Sequence, residues 1–151
     1  MAGRIVVGVD NSPAAVEALR FAADEARLRN ARIVAVHAWT YMPAAGVGDP
    51  GLMALPDTDV PGLLEAEREA AETSLRKAIE GAFPEGPPDE LEARLVDTDP
   101  EQALLAAAKD AELVVVGSRG HGDLSSALLG SVSSHVVHHA ACPVVVVKAP
   151  S

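Results

Sequence analysis

The chain has 151 residues, of which 48% are hydrophobic but only 3% aromatic, and it carries a formal net charge of −10 at pH 7. This length predicts a single domain over residues 1–151, with a core large enough to fold without a metal or a disulfide. The acidic balance and the scarcity of aromatic side chains argue against a nucleic-acid partner, which would need many lysine and arginine contacts with phosphate.

The N-terminal part of the chain predicts two strands with a helix between them. Arg4 to Val9 is a short apolar run rich in β-branched residues, as in a buried strand. The following Asp10-Asn11-Ser12-Pro13 combines turn residues, an N-cap candidate and a proline suited to the first position of a helix. We therefore predict a helix that begins there and runs to about Arg29, and a second strand over Arg32 to Trp39.

The rest of the chain continues the alternation after a long connection. Residues 40–61 contain four prolines and three glycines without a clear period, which predicts a loop that is either functional or mobile. Periodicity and turn residues then predict strands at Glu90–Val96, Leu113–Val116 and Val144–Val147, and helices at Leu63–Phe83, Pro100–Asp110 and Ala127–Ala140.

This alternation places the chain in the α/β class. Strands joined through helices predict a doubly wound, mainly parallel sheet with helices on both faces. Such sheets bind ligands at the carboxyl ends of their strands, so Asp10 and Gly117 would share one crevice if the first and fourth strands are neighbours. The last strand, Val144–Val147, is apolar on both faces, and we predict that it pairs with a second copy to form a homodimer.

The sequence also makes predictions about cellular location. Cys142 is the only cysteine, which rules out an intrachain disulfide and fits a reduced cytoplasmic setting. The apolar run Ile5–Val9 is too short for the core of a signal peptide, and no other run approaches the length of a membrane span. We therefore expect a cytoplasmic protein without a membrane partner.

A glycine-rich segment near the C-terminus predicts a phosphate site. An apolar strand leads into Gly117-Ser118-Arg119-Gly120, and Gly130-Ser131-Val132-Ser133 follows nine residues later, near the predicted start of a helix. Glycine lets a ligand approach the backbone, and unpaired N–H groups at a helix start attract anions. The sequence contains neither a Walker A loop nor a Gly-x-Gly-x-x-Gly fingerprint after the first strand, so a different nucleotide fold is required.

We predict that backbone N–H groups and serine hydroxyls of this segment hold phosphates, with Arg119 or His121 adding positive charge nearby. The residues involved are Gly120, Gly130, Ser131, Val132 and Ser133. A plain loop followed by an N-cap is the alternative interpretation. Residues 113–151 carry one acidic and two basic side chains, so this part of an acidic chain permits a phosphate site.

Two further groups of residues have alternative interpretations. Asp10 either accepts hydrogen bonds from ribose hydroxyls or only shapes the turn. His135 and His139 have the i, i+4 spacing of a zinc-binding pair, with His138 beside them, but no third ligand is apparent. We therefore predict a helix-surface or dimer-contact role for these histidines, and no metal site. Serine hydrolase chemistry has no support, because the sequence lacks a Gly-x-Ser-x-Gly motif.

Several of these motifs together resemble the ATP-binding branch of the universal stress protein family. They are Val7-Gly8-Val9-Asp10, Val36-His37-Ala38, the two glycine segments described above, and Cys142-Pro143-Val144. The resemblance covers nearly the whole chain. It implies a five-stranded sheet in the order 3-2-1-4-5, dimers joined through the last strand, ATP across the strand ends, and a role in stress adaptation without a dedicated catalytic cycle.

The resemblance also implies a role for each matching residue. Asp10 would hold the ribose, the backbone at Ala38 would read the adenine edge, and Gly117 would face the ribose. Val9 and Val116 would line the pocket, and Gly120, Gly130, Ser131, Val132 and Ser133 would take the phosphates. Mg²⁺ would be held through phosphates and water, because the sequence offers no carboxylate pair beside the loop.

Two other functions remain open at the level of sequence. A slow ATP hydrolase or nucleotidyl transferase could use the same fold and phosphate loop, with His121 as the nearby candidate for a general base. Alternatively, the chain could be a dimerisation module that binds no nucleotide, in which the glycines only form turns.

Overall fold

The computed structural model describes residues 2–40, 60–118 and 129–149, which contain one five-stranded parallel sheet. Its strand order is β3-β2-β1-β4-β5, so both the predicted α/β class and the order implied by the resemblance are confirmed. The elements are β1 (Arg4–Gly8), α1 (Pro13–Arg29), β2 (Arg32–Trp39), α2 (Val60–Ala82), β3 (Leu91–Asp97), α3 (Pro100–Ala108), β4 (Leu113–Gly117), α4 (Ser131–His139) and β5 (Val144–Val147).

Several predicted boundaries differ from the structure. The sequence predicts that the last helix begins at Ala127, but α4 begins at Ser131, because Gly130 has an extended backbone with φ −65° and ψ 165°. Helix α2 begins at Val60, inside the predicted 40–61 connection, and residues 41–59 of that connection lie outside the described part of the chain. Residues 127 and 128 also lie outside it.

The central strand β1 is buried on both faces. Val6 pairs with Val34 of β2 on one side and Val114 of β4 on the other, and all three face α3 and α4. Ile5 and Val7 point the opposite way, into the core formed with α1 and α2. A parallel strand covered by helices on both sides needs apolar residues at successive positions, which is why its sequence reads as a continuous run.

Four residues separate the end of β1 from the start of helix α1, and local hydrogen bonds fix this short connection. Ser12 is the N-cap in an extended conformation, and its hydroxyl accepts a hydrogen bond from the Ala15 N–H at 3.3 Å. Pro13 takes the first helical position, where its missing N–H costs nothing. The helix ends at Asn30, whose φ of 53° places it in the left-handed region. The start of α1 is thereby held against the carboxyl end of β1.

Arg20 connects the two helices that cover this face of the sheet. Its guanidinium donates to the carbonyl oxygens of Gly81 at 3.1 Å and Ala82 at 3.3 Å, and it pairs with Glu17 of its own helix at 2.8 Å. The last carbonyl groups of a helix have no N–H donor within the helix, so a side-chain donor from another element can satisfy them. Arg20 therefore attaches the C-terminal end of α2 to the middle of α1.

No helix in the described ranges combines the length and apolar composition that crossing a membrane requires. The longest, α2 with 23 residues, carries a series of glutamates and arginines along its length.

We predict that Arg20→Met lowers the free energy of unfolding by about 1 kcal/mol, because two helix-terminal carbonyls lose their donor while the aliphatic stem is retained. Arg27→Met is the matched control on the same helix. Within the described residues Arg27 pairs only with Asp24, and their side chains are 79% and 70% exposed, so its replacement should cost less than about 0.5 kcal/mol. Urea unfolding of both variants provides the comparison, and equal losses would contradict the role assigned to Arg20.

Candidate functional site

A cleft of about 730 Å³, measured out to its open mouth, lies at the carboxyl edge of the sheet. Strands β1, β2 and β4 form the floor, Pro100 and Leu104 of α3 form one wall, and the start of α4 forms another. Nine of the predicted site residues line it: Val9, Asp10, Ala38, Val116, Gly117, Gly130, Ser131, Val132 and Ser133.

The remaining predicted residues, Arg119 and Gly120, lie outside the described residues, as does His121. The expected juxtaposition of Asp10 and Gly117 is present, because β1 and β4 are hydrogen-bonded neighbours whose ends both open into the cleft. The sheet topology therefore brings together residues that are more than one hundred positions apart in the sequence.

Asp10 shapes the turn between β1 and α1. Its Oδ1 accepts a hydrogen bond from the Ser12 N–H at 2.9 Å and a second, short one from the Ser12 hydroxyl. Both bonds go to the same oxygen, and Oδ2 has no hydrogen-bond partner among the residues described. The two interpretations of Asp10 are therefore compatible, since one oxygen holds the turn while the other is available at the cleft.

His37 fixes the direction in which the chain leaves β1. Its Nδ1 lies 2.7 Å from the Val9 carbonyl oxygen, which can only accept, so Nδ1 carries the proton and donates. The Val9 N–H donates in turn to the Val36 carbonyl at 2.8 Å. Both backbone groups of Val9, its N–H and its carbonyl, are therefore hydrogen-bonded to β2. These two bonds fix the position of the next residue, Asp10, at the cleft. His37 belongs to the Val36-His37-Ala38 motif, but the sequence alone does not predict its bond to Val9.

The start of α4 presents unpaired donors to the cleft. Gly130, the N-cap, makes no side-chain cap, and its own N–H donates to the Ser118 carbonyl at 2.7 Å. This N–H is therefore already used within the protein. The N–H groups of Ser131, Val132 and Ser133 form the first turn, and none of them has an acceptor in the described part of the chain. These three groups are the donors that remain for an anion.

The hydroxyl of Ser133 closes the base of the glycine segment. It is buried and lies 2.9 Å from the Ser118 carbonyl oxygen and 3.0 Å from that of Gly130. A hydroxyl has one hydrogen, which these two carbonyl oxygens share, and this shared bond holds the two sides of the segment together. Ser131, by contrast, is exposed and lines the cleft, and its hydroxyl makes no such bond to the other described residues.

Gly117 allows α1 to approach the end of β4. A Cβ atom at this position would lie 2.8 Å from the Cβ of Ala14, which is closer than two carbon atoms can pack. Gly117, which the sequence predicts to face a ligand, therefore also has a packing role. Both roles follow from its place at the strand end, where helix, strand and cleft meet.

Few of the described side chains that line the cleft are ionisable. Within the described part of the chain they are Asp10 and His37, and Nδ1 of His37 donates to the Val9 carbonyl oxygen. Cys142 is not among the residues that line the cleft, and burial raises the pKa of its thiol. Within residues 2–40, 60–118 and 129–149, no three or more histidine, cysteine, aspartate or glutamate side chains are grouped to hold a metal ion. The arrangement is suited to an anion next to an apolar floor.

Comparison with known proteins identifies the family. The sequence model that describes the universal stress protein family matches residues 1–148 of this chain. The chain belongs to the universal stress protein family. A universal stress protein of Mycobacterium tuberculosis is 39% identical over 145 residues, which is 95% of this chain and 45% of the relative. The chain thus spans about half the length of the curated relatives it matches.

Solved structures of family members share the fold. A universal stress protein from Lactobacillus plantarum is 28% identical, with a TM-score of 0.71 over 96% of this chain and 97% of the other. A complex with cAMP is 26% identical, with a TM-score of 0.67 and 99% and 98% coverage. A complex from Archaeoglobus fulgidus with dAMP is 30% identical, with a TM-score of 0.63 and 97% and 98% coverage.

We predict that Gly117→Ala destabilises the protein by about 1–3 kcal/mol, because the added methyl must displace Ala14 and with it the start of α1. Gly81→Ala is the matched control, since its Cβ would lie 3.7 Å from Val16, an ordinary contact. In a helix this change should be neutral or stabilise by up to about 1 kcal/mol. Thermal and urea unfolding measure both variants, and an unaffected Gly117→Ala protein would refute the close-packing argument.

Proposed function

We propose that this universal stress protein is a cytoplasmic regulator that binds an adenine nucleotide, ATP in the first place, in the cleft at the carboxyl edge of the sheet. The observation that carries the proposal is the unpaired first turn of α4. Among the described residues, three backbone N–H groups have no acceptor, and they belong to residues that line the same cleft as Asp10, whose Oδ2 has no donor there. A nucleotide needs both, because its phosphates accept and its ribose hydroxyls donate.

The cleft offers a place for each part of the ligand. Phosphate would lie at the N-terminus of α4, against Ser131 and Val132, where the helix dipole favours negative charge. Ribose hydroxyls would donate to Asp10 Oδ2. The base would lie over the apolar side chains of Val9 and Val116 with its edge on the backbone of Ala38, which also lines the cleft.

The related structures support the ligand class. The complexes described above contain cAMP and dAMP, and these share an adenine, a sugar and one phosphate. The groups available in the described cleft match those shared parts. Preference for a triphosphate would depend on Gly120 and Arg119, which belong to the predicted phosphate segment but lie outside the described residues.

Mg²⁺ would be held through phosphate oxygens and water, as the sequence predicts. The described part of the cleft supplies one carboxylate, Asp10, and one of its oxygens is engaged with Ser12. Hard cations prefer several oxygen ligands, so the protein alone would hold the ion weakly. Removing Mg²⁺ should therefore weaken ATP binding more than adenosine binding.

The proposed role is a nucleotide-dependent change in conformation or partner choice, and hydrolysis, if it occurs, should be slow. Among the described residues, no hydrogen bond joins the His37 ring to a serine or cysteine side chain, as activation of a nucleophile by this histidine would require. His121, the candidate base from the sequence, can be tested by measuring ATP turnover of the wild type and of His121→Ala. Rapid turnover that the substitution abolishes would favour an enzyme instead.

We predict that Ser131→Pro weakens binding of AMP, ADP and ATP by about ten- to a hundredfold. Proline removes one of the three unpaired N–H groups, and a hydrogen bond to a charged group is worth about 1.5–3 kcal/mol. The fold should tolerate it, because proline is well accepted at the first helical position and Gly130 is already extended. Isothermal titration calorimetry measures the affinities.

Two controls isolate the backbone contribution. Ser131→Ala removes only the hydroxyl and should change the affinity for nucleotides less than about threefold. Adenosine, which lacks phosphate, should bind both variants and the wild type equally. A wild type that binds no adenine nucleotide would overturn the proposal in favour of a dimerisation module. An equal loss of adenosine binding in Ser131→Pro would place the phosphate elsewhere.

We also propose that two copies associate through β5. This strand is an edge of the sheet, hydrogen-bonded to β4 on one side, and its four valines are only partly buried. The Ser118 N–H and Val114 N–H bond to the carbonyls of Val147 and Pro143. Because the ladder of a parallel strand alternates, Val144 and Val146 direct their backbone groups to the free edge. An apolar edge strand without charged side chains presents backbone N–H and C=O groups that a second strand can pair with.

We predict that the wild type sediments as a dimer and that Val146→Pro sediments as a folded monomer. Proline removes an N–H on the free edge and leaves the bonds to β4 in place. Val146→Ile, which retains that N–H, is the control and should remain dimeric. Sedimentation velocity with circular dichroism separates loss of association from unfolding. A dimeric Val146→Pro protein would show that association uses another surface.

A further inference from the structure

Helix α4 presents a cluster of histidines on the side of the helix that is accessible to solvent. His135 and His139 are one turn apart, and their rings are stacked with centroids 4.3 Å apart and planes inclined by 28°. His138 is set apart, 6.4 Å from His139 and inclined by 52°. His138 and His139 are exposed, and His135 retains 38% of its side-chain surface. Two of the three imidazoles thus form an accessible stacked pair.

The hydrogen bonds of these rings define their protonation pattern. Nδ1 of His139 lies 2.9 Å from the His135 carbonyl oxygen, and Nδ1 of His138 lies 2.8 Å from that of Ser134. A carbonyl can only accept, so in both rings Nδ1 donates and Nε2 of the neutral ring carries the lone pair. An imidazole that donates from one nitrogen while the other binds an ion is the usual state of a metal ligand.

His135 is oriented from a different helix. Its Nδ1 lies 3.7 Å from Oε2 of Glu101, in the first turn of α3. This distance is too long for a hydrogen bond, but the nearby negative charge favours a proton on Nδ1 and leaves the lone pair on Nε2. No carboxylate partner for this pair is apparent in the sequence, because Glu101 lies 34 positions away and only the packing of α3 on α4 brings it close.

We infer that His135 and His139 together bind one divalent transition-metal ion through their Nε2 atoms, with water completing its coordination. A metal–nitrogen bond of about 2.0–2.1 Å places two nitrogens on one ion about 3–4 Å apart, which small rotations of the stacked rings can provide. Imidazole ligands suit Zn²⁺, Ni²⁺ and Cu²⁺. Because the described residues contain no group of three ligands, this is a two-histidine site rather than an enclosed structural one.

The site is independent of the nucleotide proposal, although both involve the same helix. A bound ion would join two consecutive turns of α4, which has only nine residues. Short helices have little stability of their own, so an ion that bridges positions i and i+4 should protect α4 from local opening. The expected consequence is slower hydrogen exchange at the α4 amides when the ion is bound.

The test uses the full chain without an affinity tag, titrated with ZnCl₂, NiCl₂ and CuCl₂ in a buffer that does not chelate metals. We expect one ion per chain, with Cu²⁺ the tightest of the three. His139→Gln and His135→Gln should each weaken binding by about tenfold or more, because one of two protein ligands is lost. Glu101→Gln should weaken it by up to about tenfold, because Glu101 acts through His135.

His138→Gln is the matched control, since it removes an exposed histidine of the same helix outside the stacked pair, and it should bind as the wild type does. The exposed His139 can be replaced without disturbing the core, so the test remains valid even if His135→Gln does not fold. Absence of binding to the wild type at high micromolar metal would overturn the inference. So would equal losses in His138→Gln and His139→Gln, which would indicate non-specific binding to surface histidines.

Discussion

The structure depends on the burial of β1 between two parallel neighbours and two helical layers. Because β2 and β4 run in the same direction as β1, the carboxyl ends of all three strands meet at one edge. Right-handed crossovers then bring the starts of helices to that edge as well. The cleft is a consequence of this topology, since Asp10 follows β1 directly, Gly117 ends β4 and Ser131 begins the next helix.

Much of this fold can be predicted from local sequence, and the exceptions have a common cause. The β-branched runs locate the strands to within about one residue, and Ser12-Pro13 locates the start of α1 correctly. The order of the strands came from the family resemblance. The predicted start of α4 at Ala127 is wrong, because the helical spacing of apolar residues extends across Gly130 in the sequence. That residue is held extended by its long-range bond to Ser118, which no local pattern reveals.

The same distinction applies to the candidate site. Its residue types are visible in the sequence, because glycines, hydroxyls and an acidic side chain follow apolar strands. Which of their atoms are free is not visible. The Gly130 N–H and the Ser133 hydroxyl are engaged with Ser118, and the His37 ring with Val9, a partner 28 positions away. Sequence motifs identify the residues around the cleft, whereas tertiary hydrogen bonds decide which donors a ligand can use.

The two ends of α4 differ in a way that links ligand binding to helix stability. Its first turn lacks a side-chain cap and leaves three donors unpaired, whereas its last turn carries His138 and His139, whose rings donate to carbonyls one turn back. Unpaired donors and an uncapped positive dipole are unfavourable, and an anion there relieves both. The apolar side chains that pack α4 into the core include Val136, which is fully buried, and Val132, which is partly buried. A helix of nine residues has little stability of its own, so an anion at its start would add to its stability. Because α4 packs against both α3 and the edge strand β5, the candidate site and the edge where we propose that a second copy binds lie on neighbouring elements.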